Sequence, residues 1–344
     1  MFKKGIRYSG LLLSLFMLTL WVYSCASIPK LSKENRATIK KVLQSPIPEV
    51  VTGETGFATS GNHKIWFEKI SPSTSQKGTM LLIMGNGQDA LAWPPTFISN
   101  LVDAGYVVIR YDHRGTGLSL AEEKWDKKNP YTLADMAKDA LAVLDATETE
   151  KAHVIGVSMG GMIAQIITLE YSKRTASLTS IMSSANIMDS ELAPMSDEVL
   201  PKMISAVLHH GLLGSKKGQI KRQIVQRRIL MGKASGTIDV KSMAEIAFYN
   251  LKKREGYRLM TARHHYAAIL EASSREEKLK TVSVPTLIIH GVQDPVMPIA
   301  HGKKMAKIIP NADTLYIENM GHDLPYHAMG RITDKIILNA RKGG

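Results

Sequence analysis

From residue 51 onward, short and nearly continuous apolar runs alternate with longer stretches whose apolar positions recur every three to four residues. Thr79 to Met84 is such a run and ends in Gly85-Asn86-Gly87, which predicts a buried strand followed by a turn. Phe97–Ala104 has helical spacing, and Tyr106–Tyr111 is the next strand. Between Thr132 and Thr147, Leu133, Met136, Ala140, Leu141 and Leu144 mark one helix face. Strand Ala152–Val157, helix Met159–Tyr171 and strand Leu178–Ser183 follow, and strand Thr286–His290 comes much later. Helix His301–Ile309, strand Thr314–Ile317 and a helix near His327–Ala340 close the chain. Strands apolar on both faces and alternating with helices predict an α/β fold with a mainly parallel central sheet covered on both sides.

One interval breaks the alternation. Residues 186–280 are rich in Met, Lys and Arg and read as helical throughout, so they are expected to form a helical lid inserted between two strands. The expected organisation is a leader over 1–25, a tether over 26–50, a core from 51–185 and 281–344, and the lid over 186–280. The tether reading rests on the polar, basic composition from Ile28 to Val50 and on Pro29, Pro46 and Pro48.

The formal net charge is +13, and its location matters more than its size. Residues 1–50 carry eight Lys/Arg against two acids, and residues 190–280 carry seventeen against nine, so the rest is near neutral. Lys3, Lys4 and Arg7 precede an apolar run from Leu11 to Tyr23 and the small residues Ser24, Cys25 and Ala26, the pattern of a secretory signal. The run is shorter than the roughly 20 residues of a membrane-spanning helix. Cys25, the only cysteine, stands where a bacterial lipobox places its lipidated residue, and Val22-Tyr23-Ser24-Cys25 resembles that motif. The expectation is an exported protein tethered to an envelope membrane through Cys25. Cleavage after Ala26, giving a soluble secreted or periplasmic protein, is the alternative. Within the lid, Lys221-Arg222 and Arg227-Arg228 read as a solvated outer face, with Ile220, Ile224 and Ile229 inside. For an exported protein, anionic headgroups are the expected partner of that charge, and no nucleic acid is expected.

The chemistry concentrates at three strand ends. Gly156-Val157-Ser158-Met159-Gly160 lies between an apolar strand and an apolar-faced helix, the setting of a nucleophile elbow. Ser158 is the candidate nucleophile, and the helix N-terminus offers unpaired N–H groups to a developing oxyanion. A serine hydroxyl needs a base, and the base needs an orienting acid. Asp294 follows strand Thr286–His290 and His322 follows strand Thr314–Ile317, which puts both at the same carboxyl edge as Ser158. Asp189 is a second candidate for the acid, whereas Asp323 adjoins His322 and is expected to point elsewhere. The oxyanion donors are assigned to the backbone N–H groups of Met159 and Asn86. Asp112 and Arg114, in Tyr111-Asp112-His113-Arg114-Gly115, are read as holding loops near the site. The pairs His209-His210 and His264-His265 are not read as metal ligands, because adjacent helical residues point about 100° apart.

At these residues the chain resembles the α/β-hydrolase superfamily over roughly residues 60–340, and more narrowly the aclacinomycin methylesterase group of carboxylesterases. The matching stretches are Ile83-Met84-Gly85 through Ala92-Trp93-Pro94, Ile109-Arg110-Tyr111-Asp112-His113-Arg114, and Val157-Ser158-Met159-Gly160. His301-Gly302-Lys303 through Ile309-Pro310 and Met320-Gly321-His322-Asp323-Leu324-Pro325 match as well. The resemblance implies ester hydrolysis through Ser158, His322 and Asp294, with no metal or organic cofactor, and does not extend to the substrate, for which a small-molecule or lipid-like ester is the separate expectation. Thioester, amide, perhydrolase or carbon–carbon bond chemistry on the same three residues stays open. A catalytically silent surface protein is the remaining alternative.

Overall fold

In the computed structural model, the described residues are 27–119, 130–211, 215–234, 236–254 and 259–344. Cys25 and the leader read over 1–25 lie outside them. The apolar runs form strands β1 (Glu54–Ser60), β2 (His63–Ile70), β3 (Thr79–Ile83), β4 (Val107–Tyr111), β5 (Ala152–Val157), β6 (Thr175–Ile181), β7 (Thr286–Gly291) and β8 (Asp313–Ile317). They build one sheet in the order β1-β2-β4-β3-β5-β6-β7-β8. β2 pairs antiparallel with β1 and with β4, and every later pairing is parallel.

The parallel strands are apolar on both faces because both faces are covered. In β3, Leu81 and Ile83 pack against helices α3 (Leu133–Ala146) and α4 (Met159–Glu170). Met80 and Leu82 face the opposite layer, formed by α2 (Pro95–Asp103) and the C-terminal helix α11 (Met329–Arg341). Thr132 starts α3 with a reciprocal capping box to Asp135, which satisfies two otherwise unpaired donors. β6 begins three residues earlier than the apolar run predicts. Thr175 and Ser177 look like loop residues, but both are buried, and Ser177 Oγ bonds His153 Nδ1 at 2.9 Å.

The stretch expected as a tether holds a helix, α1 (Lys33–Gln44). Ser32 caps it by accepting from the Asn35 amide, and Ile39 and Val42 share one side. With Leu31 they enter a helical core shared with Ile220, Ile224, Ile229 and Phe248. Polar composition hid a helix that buries only one narrow stripe.

Between β6 and β7 lie α5 (Val199–His210), α6 (Lys216–Leu230), α7 (Val240–Lys253), α8 (Leu259–Leu270) and α9 (Glu276–Leu279). The prediction of helix throughout 186–280 fails at its start, because residues up to Glu198 form turns. Asn186 and Asp189 side chains accept from the Met188 and Glu191 amides, and such local bonds compete with helix. The basic face of α6 is also not wholly solvated. Arg222 is buried and donates to Gly211 O, and Arg227 reaches Leu324 O at 3.0 Å. After β7, α10 (Ile299–Ile308) covers the end of the sheet through Met305.

Candidate active site

Ser158 sits at the turn from β5 into α4 with φ 54° and ψ −119°, a left-handed conformation that a serine adopts only under constraint, at a cost of about 1–3 kcal/mol. The flanking glycines make the turn possible. A Cβ on Gly156 would stand 2.1 Å from Gly160 O, and one on Gly160 would stand 2.1 Å from Ile83 O. Two hydrogen bonds hold the strained residue: Ser158 N donates to Ile181 O at 2.9 Å, and Ser183 Oγ donates to Ser158 O at 2.7 Å.

His322 and Asp294 meet Ser158 as their positions past β8 and β7 predict. His322 Nε2 is 3.0 Å from Ser158 Oγ, and His322 Nδ1 is 2.7 Å from Asp294 Oδ2. Asp294 is buried, and its other oxygen accepts from the Val296 and Met297 amides at 2.8 Å each. A carboxylate can only accept, so the Nδ1 proton belongs to His322 and its Nε2 lone pair faces the serine hydroxyl. Beneath them, His290 Nε2 donates to Met297 O at 2.7 Å, and burial pushes this imidazole below its usual range. It is a neutral neighbour of Asp294, 3.7 Å away, and leaves the carboxylate to His322.

The other acid candidates are engaged elsewhere. Asp189 pairs with Lys304, which draws its carboxyl below the ordinary value, and it does not meet His322. Asp323 faces Arg227 at 3.6 Å. Asp112 and Arg114 do hold loops. Asp112 accepts from the Ala90 and Leu118 amides and pairs with Arg254 of the insertion, while Arg114 grips Asp139 through two 2.7 Å bonds.

The turn after β3 lies against the serine. A Cβ on Gly85 would be 3.4 Å from Ser158 Cβ and 4.0 Å from its Oγ. The turn closes through Gln88 N donating to Gly85 O, with Asn86 and Gly87 at its tip and Gly87 at φ 68°. Among the described residues, neither the Asn86 nor the Met159 amide donates to a protein acceptor. Met159 is the first residue of α4, whose dipole adds positive potential at that point.

Sequence reasoning missed the contacts that the insertion makes with this site. His322 N donates to Leu230 O at the end of α6, and Ser196 N donates to Pro295 O beside Asp294. His265, on α8, bonds the turn at Gly87 N. A histidine pair on a basic helix carries no local sign of such a contact, which spans 178 residues.

The sequence matches the family model of the alpha/beta hydrolase fold over residues 78–208. It is 31% identical over 288 residues to a rhodomycin D methylesterase of Streptomyces peucetius, covering 79% of this chain and 93% of that one. It is 29% identical to 3-oxoadipate enol-lactonase 1 of Acinetobacter baylyi over 65% of this chain and 74% of the relative. A hydrolase from Pseudomonas aeruginosa PA01 superposes with a TM-score of 0.62 at 21% identity, covering 84% of this chain and 99% of that one, so the fold is shared. With the sheet order, the strained serine turn and these relatives in agreement, the chain belongs to the α/β-hydrolase family and is a hydrolase.

Proposed function

We propose that the chain hydrolyses carboxylic esters through an acyl-enzyme on Ser158. The observation that carries this reading is the continuous hydrogen-bonded line from Asp294 through His322 to Ser158 Oγ. His322 Nε2 takes the hydroxyl proton as Ser158 Oγ attacks the ester carbonyl, and Asp294 stabilises the imidazolium that forms. The tetrahedral oxyanion lies against the N–H groups of Met159 and Asn86. His322 then returns its proton to the departing alcohol oxygen, and the acyl group stays on Ser158. A water, deprotonated by the same Nε2, attacks the acyl carbonyl, and as the acyl–Oγ bond breaks His322 returns that proton to Ser158 Oγ and the acid leaves. A small-molecule or lipid-like ester is the substrate class, and the helical insertion lies over the carboxyl edge where it would enter. The esterase and lactonase relatives support ester over amide chemistry.

The test is a panel of para-nitrophenyl esters, a thioester and an anilide, assayed with the wild type and with Ser158→Ala. Ester turnover that Ser158→Ala abolishes is the expected result. Thioester or anilide turnover exceeding that of every ester would refute the ester assignment, and an active Ser158→Ala would refute the nucleophile. Export with attachment to a membrane through Cys25 is part of the same proposal, supported by the order of basic, apolar and small residues from Lys3 to Ala26. Cys25→Ser is expected to release the protein from the membrane fraction, and unchanged fractionation would contradict the anchor.

A further inference from the structure

We infer that His265, a residue of the helical insertion, is a positioning residue for the oxyanion hole, holding the turn that presents the Asn86 amide. The inference rests on the proposed acyl-enzyme chemistry and assigns part of it to a helix that the core sheet does not supply.

His265 has no exposed surface, and both of its ring nitrogens are engaged by backbone. Gly87 N is 3.1 Å from Nδ1, and Arg114 O is 3.0 Å from Nε2. A backbone amide can only donate and a carbonyl can only accept, so the partners dictate the tautomer: Nδ1 accepts and Nε2–H donates. A protonated ring would set two N–H groups against each other at Gly87. Burial opposes that state too, bringing the imidazole to about 3. The ring is a fixed, neutral, two-ended connector across the pH range in which an esterase works.

Both ends of the connector are rigid. The Arg114 carbonyl belongs to a residue whose side chain is locked by two bonds to Asp139, and the Tyr131 ring packs against both Arg114 and His265. The Thr261 hydroxyl, one turn earlier on α8, donates to Gly115 O at 2.8 Å and sets the helix over the same loop. On the other side of the turn, His113 Nε2 donates to Met84 O at 2.7 Å, and its ring meets His265 edge-on with centroids 5.5 Å apart. Two neutral imidazoles thus bracket the three residues Gly85-Asn86-Gly87. The bond to Gly87 N fixes the peptide plane that follows Asn86, and the bond to Met84 O fixes the one that precedes Gly85. With the turn closed by Gln88 N to Gly85 O, the Asn86 amide between them has little freedom to rotate. A glycine-flanked turn has little stiffness of its own. Oxyanion stabilisation depends on donors already in place when charge develops, so a loose turn loses rate while leaving ground-state binding nearly unchanged.

The experiment compares wild type, His265→Phe, His265→Gln and Ser158→Ala in the full chain, with para-nitrophenyl acetate as substrate and a trifluoromethyl ketone as an oxyanion-forming inhibitor. Phe fills the space but cannot accept from Gly87. Gln carries an acceptor and a donor about as far apart as the two ring nitrogens. For His265→Phe, kcat is expected to fall by roughly 100-fold with KM changed less than about threefold, and the ketone to weaken in parallel with kcat. His265→Gln is expected to recover most of that loss. A merely structural role would lower melting temperature without this split and without the parallel loss of ketone affinity. A folded His265→Phe with kcat within about threefold of wild type overturns the inference, as does a Gln variant no better than Phe. Should His265→Phe fail to fold, the Gln variant and the wild-type imidazole carry the test. Nitrogen-15 NMR is expected to show the neutral Nε2–H tautomer down to pH 5, and titration of His265 near 6.5 would overturn the inference. An active Ser158→Ala would instead dispose of the acyl-enzyme reading.

Discussion

Replacing Asp294 by Asn separates what the acid does for geometry from what it does for charge. Asp294 Oδ1 accepts from the Val296 and Met297 amides, and both bonds survive if the Asn Oδ1 takes that place. The turn therefore selects one amide orientation and directs the new NH2 at His322 Nδ1, where the carboxylate stood at 2.7 Å. Facing a donor, Nδ1 must become the acceptor, and the ring proton moves to Nε2, opposite Ser158 Oγ. His322 then points a hydrogen at the group whose proton it removes in the proposed mechanism. Backbone and packing are nearly unchanged, yet the base is absent. A wrong tautomer of this kind costs about 10⁴-fold in kcat, or ~5.4 kcal/mol of barrier. The assay is steady-state turnover of para-nitrophenyl acetate together with thermal melting. The expected result is that large loss in kcat with little change in melting temperature. An Asp294→Asn enzyme within tenfold of wild type would remove Asp294 from the role of setting the His322 tautomer.

Two further outcomes follow from burial. His113 and His265 are held at about 4 and about 3 by desolvation, against about 6.5 in an unfolded chain. The unfolded state alone binds these protons as pH falls from about 6.5 to about 4 at His113 and to about 3 at His265, so stability drops through that window and the contribution levels off below about 3. His113 alone accounts for about 3 kcal/mol of that loss. Urea unfolding at pH 7.5 and 4.5 measures it, with a His265→Gln variant showing a shallower dependence, and identical slopes would contradict the burial argument. Ile39→Ala, in the fully buried stripe of α1, is expected to cost about 2–5 kcal/mol by denaturant titration. A cost under about 0.5 kcal/mol would mean that α1 is not part of the folded unit.

The sheet and the three strand-end residues were legible because each leaves a local mark. Gly156 and Gly160 are required by approaches of 2.1 Å, so the glycine spacing around Ser158 reports a physical clearance. Asp294 and His322 follow apolar runs that read as strands only, and parallel strands deliver their ends to one edge. The failures share a different cause. β6 starts with Thr175, Ala176 and Ser177, whose burial depends on partners such as His153 that lie elsewhere in the sequence. In α1, a small apolar stripe on a basic helix becomes core only because α6 and α7 present Ile224 and Phe248 to it. Arg222 and Arg227 looked like solvated charge until the Gly211 and Leu324 carbonyls appeared within reach. His265 is the extreme case, since its protonation state, tautomer and partner are all tertiary properties. The insertion could be read as helical, but its hold on the His322, Asp294 and Asn86 loops could not.

Every later step of the proposed reaction depends on Ser158 Oγ being the atom that becomes acylated. Intact-mass and peptide-mapping mass spectrometry after reaction with a fluorophosphonate locates that atom. One adduct per chain is expected, located on Ser158, with labelling abolished in Ser158→Ala and slowed about as much as turnover in Asp294→Asn. An adduct on another residue, or undiminished labelling of Ser158→Ala, would contradict that role of Ser158.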